Sequence, residues 1–318
     1  MTAWSAGDVP DLSGRVAVVT GANRGLGREL ARYLFAGGAR VIVACRDEAA
    51  GEATAAALRA LPPGGPGRLE VRPLDLGDLA SVERFAAGLA GEPRLDLLAN
   101  NAGVMAVDRG LTADGFEMHM GVNHLGHFAL TVRLLPLLAS TGDSRVVTTS
   151  SMGARLGHVD PGDLLWERRP YDRWQAYLQS KLANLLFTFE LDRRLRAAGS
   201  AESVGSAGSP ASAPIPPAPA ALAAHPGGAR TSLGRHGRGF SNRLVPLWTP
   251  FLQPAAAGAL PLLRAATDAA ARSGEYYGPR LMVWGRPVRE TPPRRGRDPA
   301  VAARLWEESE RLTGCLFP

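Results

Sequence analysis

Residues 15–27 read R-V-A-V-V-T-G-A-N-R-G-L-G, and this stretch decides the fold. Its first six residues are apolar and β-branched apart from the leading arginine, which predicts a buried strand followed by a helix. Between the two, Gly21, Gly25 and Gly27 would let the backbone approach a pyrophosphate at the amino end of that helix, where free amides stabilise negative charge. The alternative is that these glycines only make a tight turn.

The alternation of strand and helix continues along the chain. Further strands are predicted at residues 40–44, 69–73, 95–99 and 145–149, with helices at about residues 47–61, 78–90, 115–138 and 174–198. Strands that alternate with helices are typical of βαβ units in a parallel sheet. We therefore expect a single α/β domain, a doubly wound parallel sheet of the Rossmann type.

The composition indicates a folded chain that binds no nucleic acid. The 318 residues are 45% apolar and 6% aromatic, which is enough for a hydrophobic core. The net charge is +6, but no stacking aromatics or recognition motif accompany the basic run at residues 286–297. Cys45 and Cys315 are too far apart in sequence for a disulfide framework. With no export leader and no apolar run of about 18 residues, we expect a cytoplasmic protein without a membrane anchor.

Lys181 is the only lysine among 36 basic residues. Because the chain uses arginine everywhere else, this position indicates a need for a compact ammonium group. Tyr177 lies four residues earlier, and on a helix the two side chains share one face. A neighbouring cation would lower the tyrosine pKa and make the phenol a general acid or base near neutral pH. The alternative is that this spacing arose by chance.

The end of the second strand bears on which dinucleotide is bound. An acid there accepts bonds from a ribose 2′-hydroxyl, whereas arginine meets a 2′-phosphate. This chain reads V-I-V-A-C-R-D over residues 41–47, with Cys45 where the acid is expected and Arg46 next to it, while Arg24 lies in the glycine loop. Two guanidinium groups can clamp a phosphate, so NADP(H) is favoured over NAD(H). The alternatives are that Asp47 acts as the acid or that both arginines are ordinary surface charges.

Five landmarks in order make residues 12–290 resemble the short-chain dehydrogenase/reductase family. They are T-G-x-x-x-G-x-G at 20–27, Asp75-Leu76, N-N-A-G at 100–103, Ser151 and Y-x-x-x-K at 177–181. Within the family, A-C-R-D, V-N-H-L-G-H-F and S-K-L-A-N resemble the retinol dehydrogenase-like branch. On this reading residues 1–11 are an N-terminal extension and residues 291–318 a C-terminal tail.

The resemblance implies a nicotinamide dinucleotide cofactor and a set of four catalytic residues. The implied cofactor-binding residues are Thr20, Gly21, Asn23, Arg24, Gly25, Leu26, Gly27, Arg46, Asp75, Leu76, Asn100, Asn101, Ala102, Gly103, Tyr177, Lys181, Pro226 and Gly227. The implied catalytic residues are Asn123, Ser151, Tyr177 and Lys181. Asn123 would hold a water in a proton relay with Lys181, and Ser151 is preferred over Ser150 because the family pattern places the catalytic serine second in the pair.

The implied reaction is hydride transfer between nicotinamide and a carbonyl or alcohol carbon, with Tyr177 moving the proton. The alternatives are an extended relative such as a nucleotide-sugar epimerase and a non-catalytic NADP(H)-sensing or scaffold protein. The first would have a different glycine spacing, and the second could dispense with the serine, tyrosine and lysine. His119, His124 and His127 are interpreted as helix-face or packing residues, because no cysteine or carboxylate arrangement completes a metal site.

Two segments in the second half have a distinctive composition. Residues 199–224 are almost entirely Ala, Pro, Ser and Gly and are expected to be a surface insertion without catalytic duty. In residues 228–256, apolar side chains alternate with glycines and arginines. This pattern indicates either a lid that covers an apolar alcohol, aldehyde or ketone, or one more core helix. Family habit implies a homodimer or homotetramer through the two long helices.

Overall fold

Eight strands of the chain join into one sheet. A computed structural model describes residues 4–61, 66–205, 217–229 and 252–318. Its strands are β1 (Val16–Thr20), β2 (Arg40–Cys45), β3 (Arg68–Pro73), β4 (Leu97–Asn100), β5 (Arg145–Thr149), β6 (Ala220–Ala224), β7 (Tyr276–Pro279) and β8 (Pro287–Glu290). Their order is β3-β2-β1-β4-β5-β6-β7-β8, with β1 to β7 parallel and β8 antiparallel to β7. The expected single-domain, doubly wound α/β fold is confirmed.

Helices pack on both faces of this sheet. They are α1 (Gly25–Ala36), α2 (Glu48–Arg59), α3 (Leu79–Ala87), α4 (Met118–Met120), α5 (Gly126–Thr141), α6 (Arg173–Gly205), α7 (Ala255–Thr267) and α8 (Pro299–Thr313), and a π-helical turn at Gly121–Leu125 joins α4 to α5. Alternate residues of β1 belong to different clusters. Val18 packs in one cluster with Phe128 of α5, and Val19 packs in another with Leu30 of α1. Because both faces are covered, β1 is buried along its whole length.

The segment expected to be an insertion differs from the prediction at both ends. Helix α6 continues to Gly205, and residues 220–224 are β6, between β5 and β7. Alanine is the best helix former and a poor strand former, so composition alone does not reveal a strand here. Four of the five β6 residues are buried, which shows that packing in the sheet centre decides the outcome.

The two ends of the chain also pack more tightly than the sequence indicates. Trp4, in the expected N-terminal extension, is buried in the same cluster as Leu30. Residues 291–318, expected to be a tail, contain α8, and its Trp306 is 1% exposed. The Trp306 ring stacks on Phe187 of α6 with centroids 5.7 Å apart and meets the edge of Phe128 at 4.9 Å. Helix α8 is therefore part of the core.

Candidate active site

A cavity of about 590 Å³ opens at the carboxyl ends of the parallel strands. Every residue predicted to bind the cofactor lines it except the buried Asn100, and so do Ser151, Tyr177 and Lys181. Gly228, Ala229 and Leu252 also line it, whereas residues 230–251 of the predicted lid lie outside the described residues. The last two residues of that prediction, 255 and 256, begin α7.

The glycine loop is shaped for close approach to a ligand. Gly21 and Gly25 have φ angles of 65° and 57°, a region that glycine adopts without strain. A Cβ atom on Gly27 would lie 2.5 Å from both the carbonyl oxygen of Gly21 and the side-chain amide nitrogen of Asn101. A side chain at this position is therefore excluded, because the start of α1 packs closely on the turn at Gly21 and on Asn101, while Gly25, Leu26 and Gly27 line the cavity. This geometry fits a pyrophosphate.

Two arginines, Arg24 in the glycine loop and Arg46 directly after β2, line one part of the cavity. Strand β2 ends at Cys45, and the Asp47 carboxylate accepts a hydrogen bond from the backbone N–H of Ala50 at 2.9 Å as the N-cap of α2. Arg24 and Arg46 are exposed, and neither forms an ion pair within the part of the chain that the structure describes. Asp47 and both arginines line the cavity, and one oxygen of the Asp47 carboxylate is already engaged in capping its own helix.

The Thr20 hydroxyl fixes the turn that follows β4. Its hydroxyl oxygen accepts hydrogen bonds from the backbone N–H groups of Asn101 and Ala102, both at 2.9 Å. A Cβ atom on Gly103 would lie 2.8 Å from the Asn123 amide oxygen and 3.4 Å from the Lys181 ammonium. Glycine is therefore required where this turn approaches the lysine. Asn100 faces the interior, where its amide donates to the Thr131 hydroxyl at 2.9 Å.

The two adjacent serines have different partners. The Ser150 hydroxyl is buried and donates to the backbone carbonyl of Lys181 at 2.8 Å, which ties α6 to the end of β5. The Ser151 hydroxyl accepts from the backbone N–H of Gly153 at 3.1 Å, and its interaction with the Tyr177 phenol favours a lower pKa of that phenol. Ser151 is therefore both a turn cap and the serine next to the tyrosine, as its predicted role requires.

The pKa of Tyr177 differs from the expectation that a neighbouring ammonium lowers it. Burial raises the pKa of the phenol, and the hydrogen bond with Ser151 opposes this rise only in part. Lys181 is 3% exposed. Its ammonium donates to the backbone carbonyl of Thr149 at 3.3 Å, and burial lowers its pKa to about 8. Burial is the largest cause of both pKa shifts, and it favours the neutral form of each group.

Asn123 contacts the cavity wall without lining the cavity. It lies in the π-helical turn, and its amide oxygen accepts from the backbone N–H of Val104 at 2.7 Å. Its amide nitrogen donates to the Val104 carbonyl at 3.0 Å and to the Ser180 hydroxyl at 2.9 Å. The side chain therefore holds the chain just beyond the Gly103 turn, and the water-holding role implied by the family stays a prediction.

The three histidines are buried among protein partners. His119 interacts with the Glu117 carboxylate at 2.8 Å and its ring meets the edge of Tyr177 with centroids 6.2 Å apart. His124 interacts with the Ser309 hydroxyl of α8 at 2.9 Å. Across the described residues there is no cluster of histidine, cysteine and carboxylate groups able to hold a metal ion. The buried carboxylate at Glu117 was missed by sequence reasoning, although its spacing from His119 was visible.

An apolar wall beside Tyr177 was also missed. It consists of partly exposed methionine, tryptophan and leucine side chains that line the same cavity: Met105, Met118, Met152, Trp174 and Leu178. The Trp174 ring meets the edge of Tyr177 with centroids 6.3 Å apart. Trp174 lies three residues before the tyrosine on α6, and that helical spacing was the available signal.

Comparisons with known proteins agree with this geometry. The short chain dehydrogenase family profile matches residues 15–162. Human retinol dehydrogenase 12 is 41% identical over 309 residues, covering 95% of this chain and 87% of that protein, and human retinol dehydrogenase 13 is 39% identical over 315 residues, covering 96% and 87%. In none of the helices that the structure describes is there a stretch long and apolar enough to cross a membrane.

Solved structures show the same fold. An uncharacterized protein from Mycobacterium paratuberculosis is 44% identical, with a TM-score of 0.79 and full coverage of both chains. An NADP complex of RhlG from Pseudomonas aeruginosa is 25% identical, with a TM-score of 0.58, and covers 84% of this chain and 95% of that one. The chain therefore belongs to the short-chain dehydrogenase/reductase family, in its retinol dehydrogenase-like branch, and is a nicotinamide-dependent oxidoreductase of alcohol and carbonyl groups.

Proposed function

We propose that this protein transfers a hydride between NADP(H) and the carbonyl or alcohol carbon of an apolar small molecule, with Tyr177 as the general acid or base. The observation that carries the proposal is that Ser151, Tyr177 and Lys181 line the same cavity as the glycine loop. A nicotinamide cofactor supplies or accepts the hydride when bound. The protein's own groups position the substrate oxygen and move its proton.

Each catalytic side chain has a role that its surroundings support. Tyr177 gives a proton to the substrate oxygen during reduction or removes it during oxidation. The Ser151 hydroxyl donates to the same oxygen and stabilises the alkoxide character that develops there. Lys181 binds the ribose hydroxyls and, when protonated, favours the phenolate. With a Lys181 pKa of about 8, this ammonium predominates at neutral pH.

The preference for NADP(H) rests on the adenosine end of the cavity. Arg24 and Arg46 line it, and both are free of ion pairs with the carboxylates that the structure describes. Asp47, the alternative acid, already accepts the N-cap hydrogen bond of α2. Two unpaired guanidinium groups favour a 2′-phosphate over a ribose hydroxyl, because charge-assisted bonds to phosphate are the stronger ones.

The class of substrate follows from the apolar wall. Methionine side chains are flexible and polarizable, so Met105, Met118 and Met152 can fit molecules of differing shape. Trp174 adds a large flat apolar surface next to Tyr177. Such a wall favours an apolar aldehyde, ketone or alcohol over a sugar or a charged acid.

The decisive experiment is a screen of NADPH oxidation across apolar aldehydes, ketones and quinones, with the Tyr177→Phe variant as the blank. We expect turnover with at least one apolar carbonyl and a loss of at least about 100-fold in the variant, which is the lower range for removing a positioned acid or base. NADPH binding should persist in the variant. Tight NADPH binding with no turnover on any compound would favour the sensor or scaffold alternative instead.

Compartment and assembly are further parts of the proposal. Both cysteines, Cys45 and Cys315, are free and buried, which fits a reducing cytoplasm. A homodimer or homotetramer through α5 and α6 stays a prediction from family habit. Light scattering on the purified chain tests the assembly, and fractionation of cells tests the compartment.

A further inference from the structure

His127 lies between two elements of the active site. It is 1% exposed, and its imidazole has one partner on each side. The Nε2 atom is 2.9 Å from the hydroxyl oxygen of Thr20 at the end of β1. The Nδ1 atom is 3.0 Å from the backbone carbonyl oxygen of Asn123 in the π-helical turn. Thr20 and His127, which this bridge brings together, are 107 positions apart in sequence.

The donors and acceptors of this bridge follow from the chemistry of its partners. A carbonyl oxygen only accepts, so Nδ1 of His127 must carry a proton and donate to Asn123. Burial lowers the pKa of His127 to about 3, and the charge of Lys181 adds to this effect, so the ring is neutral. Nε2 therefore has a free lone pair, and the Thr20 hydroxyl donates to it at 2.9 Å, a shorter contact than the 3.3 Å from this hydroxyl to its other acceptor, the backbone carbonyl oxygen of Ala99.

The assignment leaves the Thr20 oxygen with both of its lone pairs available. They accept the backbone N–H groups of Asn101 and Ala102, at 2.9 Å each. The hydroxyl proton and both lone pairs are thus used, and so are both nitrogens of the histidine. A buried network with every partner satisfied rigidifies its surroundings, whereas loss of one member leaves the others unpaired.

Both ends of the bridge lead to the cavity. The Thr20 end holds the turn at residues 101–103, which lines the cavity. At the other end, the bond to the Asn123 backbone holds the π-helical turn. The side-chain amide oxygen of Asn123 lies 2.8 Å from the position that a Cβ atom on Gly103 would take. The same Cβ position is 3.4 Å from the Lys181 ammonium. The bridge therefore spans the place where the cofactor turn, the asparagine and the lysine come together.

We propose that His127 is a positioning residue. Its neutral Nδ1–H imidazole fixes the turn at residues 101–103 relative to the π-helical turn, and this holds the cofactor-binding turn in place beside Lys181. This inference rests on the proposed function, in which the cavity holds NADP(H). It replaces the sequence-based interpretation of His127 as a packing residue. Neither nitrogen contacts the cavity, so the effect acts through Thr20 and Asn123.

Three variants separate the two bonds of the bridge. His127→Leu removes both, His127→Asn retains an amide near the Asn123 carbonyl, and His127→Gln retains an amide near the Thr20 hydroxyl. We expect the leucine variant to bind NADPH about tenfold more weakly, as loss of a partner for a buried hydroxyl implies, with kcat also reduced. The glutamine variant should recover NADPH affinity to within about threefold of the wild type, since it restores a partner to Thr20.

His124→Leu is the matched control. His124 is equally buried and lies three residues before His127, in the π-helical turn, but its partner is Ser309 of α8 rather than a residue of the cavity. We expect this variant to lose thermal stability while the NADPH dissociation constant stays within twofold of the wild type. If His127→Leu behaves in the same way, with lower stability and unchanged NADPH affinity, His127 only packs and the proposal is wrong.

Two further measurements on the full chain remain decisive if the leucine variant does not fold. In a double-mutant cycle, Thr20→Val combined with His127→Asn should bind NADPH no more weakly than Thr20→Val alone, because each change removes the bond between Thr20 and His127. Additive losses would contradict the coupling. Nitrogen-15 NMR of histidine-labelled wild type should show His127 as a neutral Nδ1–H ring from pH 6 to pH 9. A titrating ring or an Nε2–H tautomer would overturn the assignment.

Failure of the proposed function is distinguishable from failure of this inference. If the wild type reduces no carbonyl compound, the proposed activity is wrong, but NADPH affinity and the NMR tautomer still decide the role of His127. If the wild type binds no NADPH, both the proposed function and the cofactor-seating role are wrong, whatever the tautomer.

Discussion

The Lys181 ammonium donates to the backbone carbonyl of Thr149 at 3.3 Å inside the protein. Burial of this ammonium lowers the free energy of unfolding, because it lowers the lysine pKa from 10.5 to about 8. Below pH 8 the folded chain must hold a buried charge that the unfolded chain keeps in water. The destabilisation is therefore complete below pH 8 and fades as the pH rises from 8 to 10.5.

Replacing this lysine should make the protein more stable and inactive. At pH 7 we expect Lys181→Met to raise the free energy of unfolding by ~1–3 kcal/mol, because it removes the buried charge. The Thr149 carbonyl keeps a second donor, the Asn184 amide at 3.0 Å. Denaturant unfolding at pH 7 and pH 9.5 tests this, and the gain should be smaller at the higher pH. A variant that is less stable at pH 7 would contradict the cost assigned to Lys181.

Arg24 in the glycine loop and Arg46 just after β2 should decide cofactor choice. We expect Arg24→Ala with Arg46→Ala to raise KM for NADPH by about 10-fold or more and to leave KM for NADH nearly unchanged, since only NADPH has the 2′-phosphate. Arg84→Ala with Arg311→Ala is the charge-matched control, because both guanidinium groups are exposed and neither lines the cavity. An equal loss with both cofactors would sink the phosphate-clamp interpretation.

The adjacent serines should separate catalysis from stability. We expect Ser151→Ala to lower kcat about 100-fold with little change in NADPH binding, as for loss of one donor to a developing oxyanion. Ser150→Ala should instead lower the free energy of unfolding by about 1 kcal/mol, through loss of its bond to the Lys181 carbonyl. Steady-state kinetics and thermal melts on both variants make the comparison. A larger loss of kcat in Ser150→Ala would mean that the assignment is reversed.

The C-terminal helix should be essential for stability. Trp306 fills the space between Phe128 and Phe187, so we expect Trp306→Ala to cost about 3–5 kcal/mol. Trp284→Ala provides the control, because this tryptophan is 56% exposed and its truncation leaves no cavity. Urea unfolding followed by circular dichroism measures both. Equal losses in the two variants would show that α8 contributes little to the core.

Contiguous motifs made much of the fold and the cofactor cradle predictable. The residues from Thr20 to Gly27 are neighbours in sequence, so their strand, loop and helix follow from local pattern. Tyr177 and Lys181 share a face of α6 for the same reason, and both line the cavity. What local pattern did not give is the balance between burial and charge at these two groups, which depends on everything packed around them.

Features that depend on distant contacts were not predictable. The role of His127 arises from Thr20, 107 positions away, and no local spacing connects them. Strand β6 has an alanine-rich sequence that by itself favours a helix, and its position between β5 and β7 decides otherwise. The apolar wall beside Tyr177 likewise collects side chains from several loops and from α6.

The position of Trp306 between two earlier helices has a consequence for how the protein is made. Helices α5 and α6 are complete once residue 205 has been synthesised, but Trp306 follows roughly 100 residues later. At ~5–20 residues per second, a nascent chain leaves the aromatic groove around Phe128 and Phe187 open to water for about 5–20 s. During that interval the groove is a natural place for a chaperone to bind at the ribosome, and it closes when α8 arrives.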